Sequence, residues 1–359
     1  MGLQETAEGV AGRFLVREST TRTDRLVDEI TNIDILLCLR GVEERSLAIY
    51  ERLGPTAKHV CCPSFSAEDV QHASSLASDE VDKQLRIRQP SFRLKLGAST
   101  DYFANTDSLV SKLSTLVRKV RGETINVVMD ISSLPKAYSC SLIGFLFGLD
   151  RSVRLRALYS EATYGVGLRS IAEVEPPEFP LSGLGQFTDG KWKLINLAHL
   201  PPALEARDGR KLVAFCGGDE DRLITALQQY DGIERSVMVA ASDSGDSQST
   251  AAERKASLCQ FTPLGDGAIT TIHPHRVVSA LDRLDELCVT AAGKRSAFIM
   301  PFSTKPHALA AALYSLSTNG VSVVGRVPLV YRLRQATRTG RVLCYEILDL
   351  SSPHTGAYL

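Results

Sequence analysis

Short, almost wholly apolar runs alternate with longer stretches of helical periodicity along most of this 359-residue chain. Runs without a polar residue at every second place are what strands covered on both faces of a parallel sheet require. The first half predicts strands at 34–39 (DILLCL), 58–62, 125–130 (INVVMD) and 153–159, with helices over 42–53, 67–86, 105–121 and 136–149. Residues 160–210 break the rhythm, concentrating Pro and Gly as connections between domains do. The pattern then restarts, with strands at 211–216, 235–240, 296–301, 321–326 and 341–348 and helices over 220–230, 275–290 and 306–317. The polar stretch SDSGDSQST at 242–250 reads as a mobile loop.

This order of elements predicts an α/β protein of two doubly wound, mainly parallel-sheet Rossmann-like domains. The expected boundaries are an N-terminal extension over 1–30, a first domain over 31–165, a connection over 166–210 and a second domain over 211–359. Landmarks recur in order, which is the mark of internal duplication. LLCLRGVEERSLAIYERL (36–53) matches VAFCGGDEDRLITALQQY (213–230), pairing Gly41 with Gly218, Glu43 with Glu220 and Arg45 with Arg222. Ser132 and Ser133 match Ser303 and Thr304, although aligning these hydroxyls and aligning Lys136 with Lys305 require frames two residues apart.

In an open parallel sheet, ligands bind beyond the carboxyl ends of the strands, where loops lead into helix N-termini. All the repeated landmarks lie at such places. Gly41 and Gly218 let backbone approach a ligand, Glu44, Arg45, Glu220 and Arg222 open the following helices, and two turns supply Asp130, Ser132, Ser133 and Lys136, then Ser303, Thr304 and Lys305. The hydroxyls and the adjacent Pro135 and Pro306 also suit helix N-caps. A lysine in a first helical turn does not, because the helix dipole favours acids there, and it suits a bound anion. The arginines serve equally as phosphate contacts or as bridges to Asp130 or Glu220.

Charge narrows the partners. Lys plus Arg and Asp plus Glu are equal at 41, so no overall basic field favours non-specific nucleic-acid binding. The 8 cysteines are scattered, mostly within apolar runs, and no Cys-x-x-Cys or His cluster occurs, so reduced core thiols are expected in place of a metal or disulfide framework. No apolar run approaches the ~18 residues of a membrane span, and the start of the chain lacks a signal-peptide core, so the expectation is a cytoplasmic protein with no membrane partner, metal or cofactor. CGGDED at 216–221 contains the Gly-Gly-Asp-Glu string of diguanylate cyclases, but it joins a strand to a helix where that family has a hairpin.

The segments VVMDISSLPKAYSCSL and IMPFSTKPHALAAALYSL resemble the hydrophobic strand, Thr/Ser-Gly-Gly-Thr-Lys-Pro turn and small-residue helix of CRISPR-associated Rossmann-fold (CARF-like) sensor domains. The chain is also similar to tandem Rossmann-like bacterial antiphage-defence proteins whose halves open with a Gly-acid-acid-Arg turn. The resemblance covers three short segments in each half. It implies that Ser303, Thr304 and Lys305, and their counterparts Ser132, Ser133 and Lys136, line a pocket for a cyclic oligoadenylate. The turn glycines are replaced here by Ser133-Leu134 and Phe302-Ser303, which puts bulky Phe302 where a ligand would need room. The resulting expectation is a subunit that senses a nucleotide or other phosphorylated signal and passes it to a separate effector of the same defence system, with homo-oligomerisation left open. A phosphodiesterase cleaving such a signal and a non-catalytic docking subunit are the alternatives, and no catalytic residue is assigned.

Overall fold

The computed structural model describes residues 4–39, 45–65, 93–164, 188–202, 210–217, 220–230, 233–243, 245–262, 264–265, 267–331 and 336–351. The expected helix over 67–86 lies outside them. In the first half the strands are β1 (Gln4–Ala11), β2 (Phe14–Arg22), β3 (Ile35–Leu37), β4 (His59–Ser64), β5 (Arg93–Lys95), β6 (Thr124–Asp130) and β7 (Ser152–Tyr164). Its main helices are α1 (Arg45–Leu53), α2 (Tyr102–Val117) and α3 (Lys136–Phe147). The second half carries β8 (Thr188–Asn196), β9 (Lys211–Cys216), β10 (Glu234–Ala240), β11 (Ile269–Ile272), β12 (Ala297–Phe302), β13 (Val321–Tyr331) and β14 (Ala336–Asp349). Helices α4 (Glu220–Gln228), α5 (Gly245–Phe261), α6 (Val277–Leu287) and α7 (Lys305–Ser317) alternate with them.

One sheet has the order β1-β2-β14-β7-β6-β3-β4-β5 and the other β11-β10-β9-β12-β13-β8. Within them, β7-β6-β3-β4-β5 and β13-β12-β9-β10-β11 are parallel throughout. The two runs are the same topology: counting only the parallel strands of each half in chain order, the first is central, the second and third extend to one side, and the fourth and fifth to the other. The protein is therefore α/β with two Rossmann-like units of one design. The turns carrying Ser132 and Ser303 follow equivalent strands, β6 and β12.

The halves are also interlocked. β8 follows β7 in the chain yet pairs antiparallel with β13, and β14 follows β13 yet pairs antiparallel with β7. Each parallel sheet is thus extended by the strand that succeeds the other half's fifth strand. This redraws the boundaries: residues 336–349 belong to the first sheet and not to a second domain, and the Pro/Gly-rich connection contains a strand of the second sheet. Nor is 1–30 an appendage, because β1 and β2 form a hairpin whose second strand pairs with β14. Buried Glu18 on β2 accepts a hydrogen bond from the Val278 amide at the start of α6, 2.6 Å away. Hydrophobic periodicity marks a strand but not the edge it completes, and the hairpin's apolar run, Phe14–Val16, is too short to mark it.

The stretch read as a mobile loop opens α5, which begins at Gly245. Among its described residues only Ala251 and Leu258 are buried, so its apolar stripe is too narrow to stand out in the sequence. Helices α3 and α7 are the opposite case, since almost every side chain of both is buried. They pack against each other between the sheets, as helices apolar all round must. One continuous core passes through them, joining β3, β6 and β7 to β9, β12 and β13. Close approach there demands glycine: a Cβ on Gly144 of α3 would stand 2.2 Å from the carbonyl oxygen of His199.

Candidate functional site

The meeting of α3 with α7 brings the two Ser-rich turns together at the carboxyl ends of β6 and β12. Strand pairing offers one way to match them. Leu36 of β3 pairs with Val128 of β6, while its repeat mate Val213 of β9 pairs with Ile299 of β12. Counting on from Val128 and Ile299 matches Asp130 with Pro301, Ser132 with Ser303, Ser133 with Thr304, Leu134 with Lys305, Pro135 with Pro306 and Lys136 with His307. That frame aligns the hydroxyls but sets opposite sheet faces against each other, since Leu36 and Val128 lie in one core cluster and Val213 and Ile299 in another, whereas the helix starts align the lysines, each the first residue after its N-cap. The second turn, Met300 to Lys305, contains no acidic counterpart of Asp130.

Both lysines cross the seam. Lys305 Nζ donates to the Leu134 carbonyl of the first turn at 2.6 Å, and Lys136 Nζ donates to the Pro301 carbonyl of the second at 3.4 Å. Cys140 of α3 adds a thiol contact, 3.4 Å from the Ala308 carbonyl of α7. Both lysines are half-buried and tie one half to the other.

The first turn is organised by Asp130, which is 1% exposed. Its Oδ1 accepts from the Ser132 amide at 2.8 Å, and Ser132 Oγ accepts from the Ser160 amide of β7 at 2.8 Å. Asp130 Oδ2 has no hydrogen-bond partner, nor have the buried hydroxyl oxygens of Ser133, Ser160 and Ser303. Burial pushes the Asp130 carboxyl up to about 6, against the opposing pull of the Ser132 bonds and the nearby Lys305 and Arg45 cations. Arg45, at the first turn of α1, is buried; its Nη1 donates to the Tyr159 hydroxyl at 3.5 Å, with the guanidinium 5.7 Å from that ring's centre. The arginine thus stands beside Asp130, as its position after β3 requires.

Capping explains only part of this hydroxyl content. Thr304 is the N-cap of α7, accepting from the His307 amide at 3.4 Å while donating to the Pro274 carbonyl at 2.5 Å. The N-cap of α3 is Pro135 and no side chain caps that helix, so Ser132 and Ser133 are not caps. Ser303 lies against Gly217, whose Cβ would come within 3.0 Å of the Ser303 Cα, so this glycine serves packing between β9 and the turn. Phe302 does not obstruct the seam: it turns into the far core of the second sheet, with its ring 6.2 Å from Trp192. Arg222 is half-buried at the first turn of α4. Gly41, Glu44 and Gly218 lie outside the described residues, as does the side chain of Glu220.

Several neighbours went unnoticed in the sequence. The loop His273-Pro274-His275, ahead of α6, reaches from the second half onto the first sheet. His275 Nδ1 lies 3.2 Å from Glu161 Oε1 of β7, and the Tyr345 hydroxyl of β14 donates to the His275 carbonyl at 2.7 Å. The His275 bond and the Arg341 charge hold Glu161 below the usual carboxylate range. His307, buried and stacked on Phe215 at 4.6 Å, contacts the His273 carbonyl through Nε2 at 3.0 Å. A carbonyl only accepts, so Nε2 carries the proton and Nδ1 is a buried acceptor without a partner. Burial pushes this imidazole down to about 3, so it is neutral at physiological pH. The closely spaced histidines of IHPH were the one available signal.

Among the described residues no group of three or more His, Cys, Asp or Glu is placed to hold a metal ion, and no helix is long and apolar enough to cross a membrane. No family model, curated protein or solved structure matches the chain.

Proposed function

We propose that the chain binds a nucleotide or another phosphorylated small molecule at the seam between its two halves, and that it acts as the sensing subunit of a bacterial antiphage defence system. The observation that carries the binding reading is the set of buried polar atoms without partners, Asp130 Oδ2 and the hydroxyls of Ser133, Ser160 and Ser303, contributed by both halves beside Arg45 and Lys305. A buried polar group left unmade costs about 1–3 kcal/mol, so a cluster of them at one place calls for a partner. Their location at the carboxyl ends of central parallel strands is where such folds take ligands. Hydroxyls and cations suit a phosphate, and a carboxylate suits the hydroxyl or amino donors of a nucleoside. The defence role rests on the sequence resemblance, and a separate effector would receive the signal.

A phosphodiesterase is the second reading, and Asp130 favours it: a carboxylate titrating near 6 with one oxygen uncommitted is suited to general-base work. Calorimetric titration at pH 7.5 with adenosine mono- and diphosphates and with cyclic oligoadenylates tests the binding. Saturable binding to at least one of them, lost in Lys305→Ala, is expected, and no heat from any phosphorylated compound would remove the reading. Chromatography of the incubated mixtures then separates sensor from phosphodiesterase.

A further inference from the structure

The seam carries a pair of titratable side chains that ligand binding by itself does not use. The loop His273-Pro274-His275 is held from three sides: the Pro274 carbonyl accepts from Thr304 Oγ1 of the second turn, the His273 carbonyl from His307 of α7, and the His275 carbonyl from the Tyr345 hydroxyl of β14. Within the loop the His275 amide donates to His273 Nδ1 at 3.2 Å, which fixes the turn. The His275 imidazole is thereby set against β7, with Nδ1 3.2 Å from Glu161 Oε1 and the ring 5.6 Å from that of Tyr159. Tyr159 and Glu161 stand two apart on β7 and so share one face of the strand. The Tyr159 hydroxyl accepts from Arg45, and the Arg45 charge acts on Asp130. Asp130 and His275 therefore stand at the two ends of one row along the first half's side of the seam.

The His275 bond and the Arg341 charge hold Glu161 below the usual carboxylate range, so its oxygens are ionised and only accept. Nδ1 of His275 therefore carries a proton, and Nε2 is the ring atom left to exchange one with a substrate. The two side chains are 26% and 17% exposed, so they are within reach of a bound molecule, unlike the fully buried His307. Asp130 is suited to take a proton from an attacking water, but a ribose oxygen leaves poorly until it is itself protonated. The acid must stand away from the base, because attacking and leaving oxygens lie on opposite sides of the phosphorus. Resting on the phosphodiesterase reading above, we infer that His275 is the general acid in hydrolysis of a ribonucleoside phosphodiester at the seam, with Glu161 as its positioning residue. Asp130 Oδ2 takes a proton from water as the water oxygen bonds to phosphorus, the bond from phosphorus to the ribose oxygen breaks, and that oxygen receives the proton of His275 Nε2. A phosphomonoester and a free ribose hydroxyl result, and the proton on Asp130 returns to His275 through solvent.

The test compares two diesters incubated with the full chain at pH 7.5: adenylyl-(3′→5′)-adenosine, whose ribose oxygen needs a proton to leave, and bis(4-nitrophenyl) phosphate, whose nitrophenolate does not. His275→Gln should slow hydrolysis of the first by about a hundredfold or more and of the second by less than about tenfold. Glu161→Gln should show the same preference at smaller magnitude, since the ring loses its orienting charge but keeps an acceptor. Asp130→Asn should slow both diesters alike, because each needs the base. Thermal melts check the fold of each variant, and if His275→Gln does not fold, Glu161→Gln carries the comparison. A folded His275→Gln that hydrolyses both diesters at the wild-type rate, or that slows both equally, would overturn the acid role while leaving the phosphodiesterase standing. Hydrolysis of neither diester by the wild type would remove both, and nucleotide binding is read separately by calorimetry.

Discussion

Asp130 should make the protein less stable than it could be, and the deficit should depend on pH in a defined way. The carboxyl is 1% exposed and is pushed from an ordinary 3.8 up to about 6. Between those values the folded protein binds more protons than the unfolded chain, so the stability tied to this group is fully present below pH 3.8 and is lost as pH rises through 6. At ~1.4 kcal/mol for each pH unit, the loss at pH 7.5 is about 3 kcal/mol. Asp130→Asn removes the titration and keeps an acceptor for the Ser132 amide. Urea denaturation of both proteins from pH 4 to 8 should find the variant more stable by about 2–3 kcal/mol at pH 7.5, by about half as much at pH 5, and equal to the wild type near pH 4. Other titrating groups affect both proteins alike and cancel in the difference. A variant that is less stable at neutral pH, or a gap that does not close on acidification, would refute the argument that burial governs this carboxyl and that function, not folding, retains it.

Other outcomes follow from the same geometry. His307 has the opposite sign: it is held neutral with its pKa down at about 3, so its contribution should fall by about 2 kcal/mol between pH 6.5 and 5, against the gain at Asp130, and the stability difference between wild type and His307→Gln over that range should show it. Lys305→Ala leaves the Leu134 carbonyl without its donor across the seam and should cost about 1–2 kcal/mol in thermal or chemical denaturation, besides its effect on ligand affinity. Gly144→Ala should lower stability by about 2–3 kcal/mol, because the clash is with the His199 backbone and cannot be relieved by a rotamer change. A chain ending at residue 331 should fail to give soluble folded protein, since β14 is paired on both sides, with β2 and β7; a sharp melting transition in that truncation would contradict the strand exchange.

The α/β class, the parallel strands and the repeat were legible because strands buried on both faces and small-residue helices leave patterns that local sequence reports directly. The interlocking was not, because nothing local in RVLCYEIL says that its ladder partner is β7 of the other half. The place of the site was legible through Asp130, Ser132, Ser303 and Arg45, which lie where strand-end chemistry was expected. Its internal logic needed register. The sequence allowed two frames for the turns, and the helix starts fit the one that aligns Lys136 with Lys305, each the first residue of its helix. Tyr159, Ser160 and His275 could not be foreseen as neighbours of the turns, since a strand's side chains reveal their surroundings only once the sheet order is known.

The account stands or falls on one ligand touching both turns at once. Amide hydrogen exchange of the full chain, with and without saturating adenosine 5′-diphosphate, reads each turn separately through peptides covering 127–139 and 298–310. The account predicts that both peptides gain protection together over the same range of ligand concentration. Protection of one turn alone, or protection confined to other parts of the chain, would contradict it.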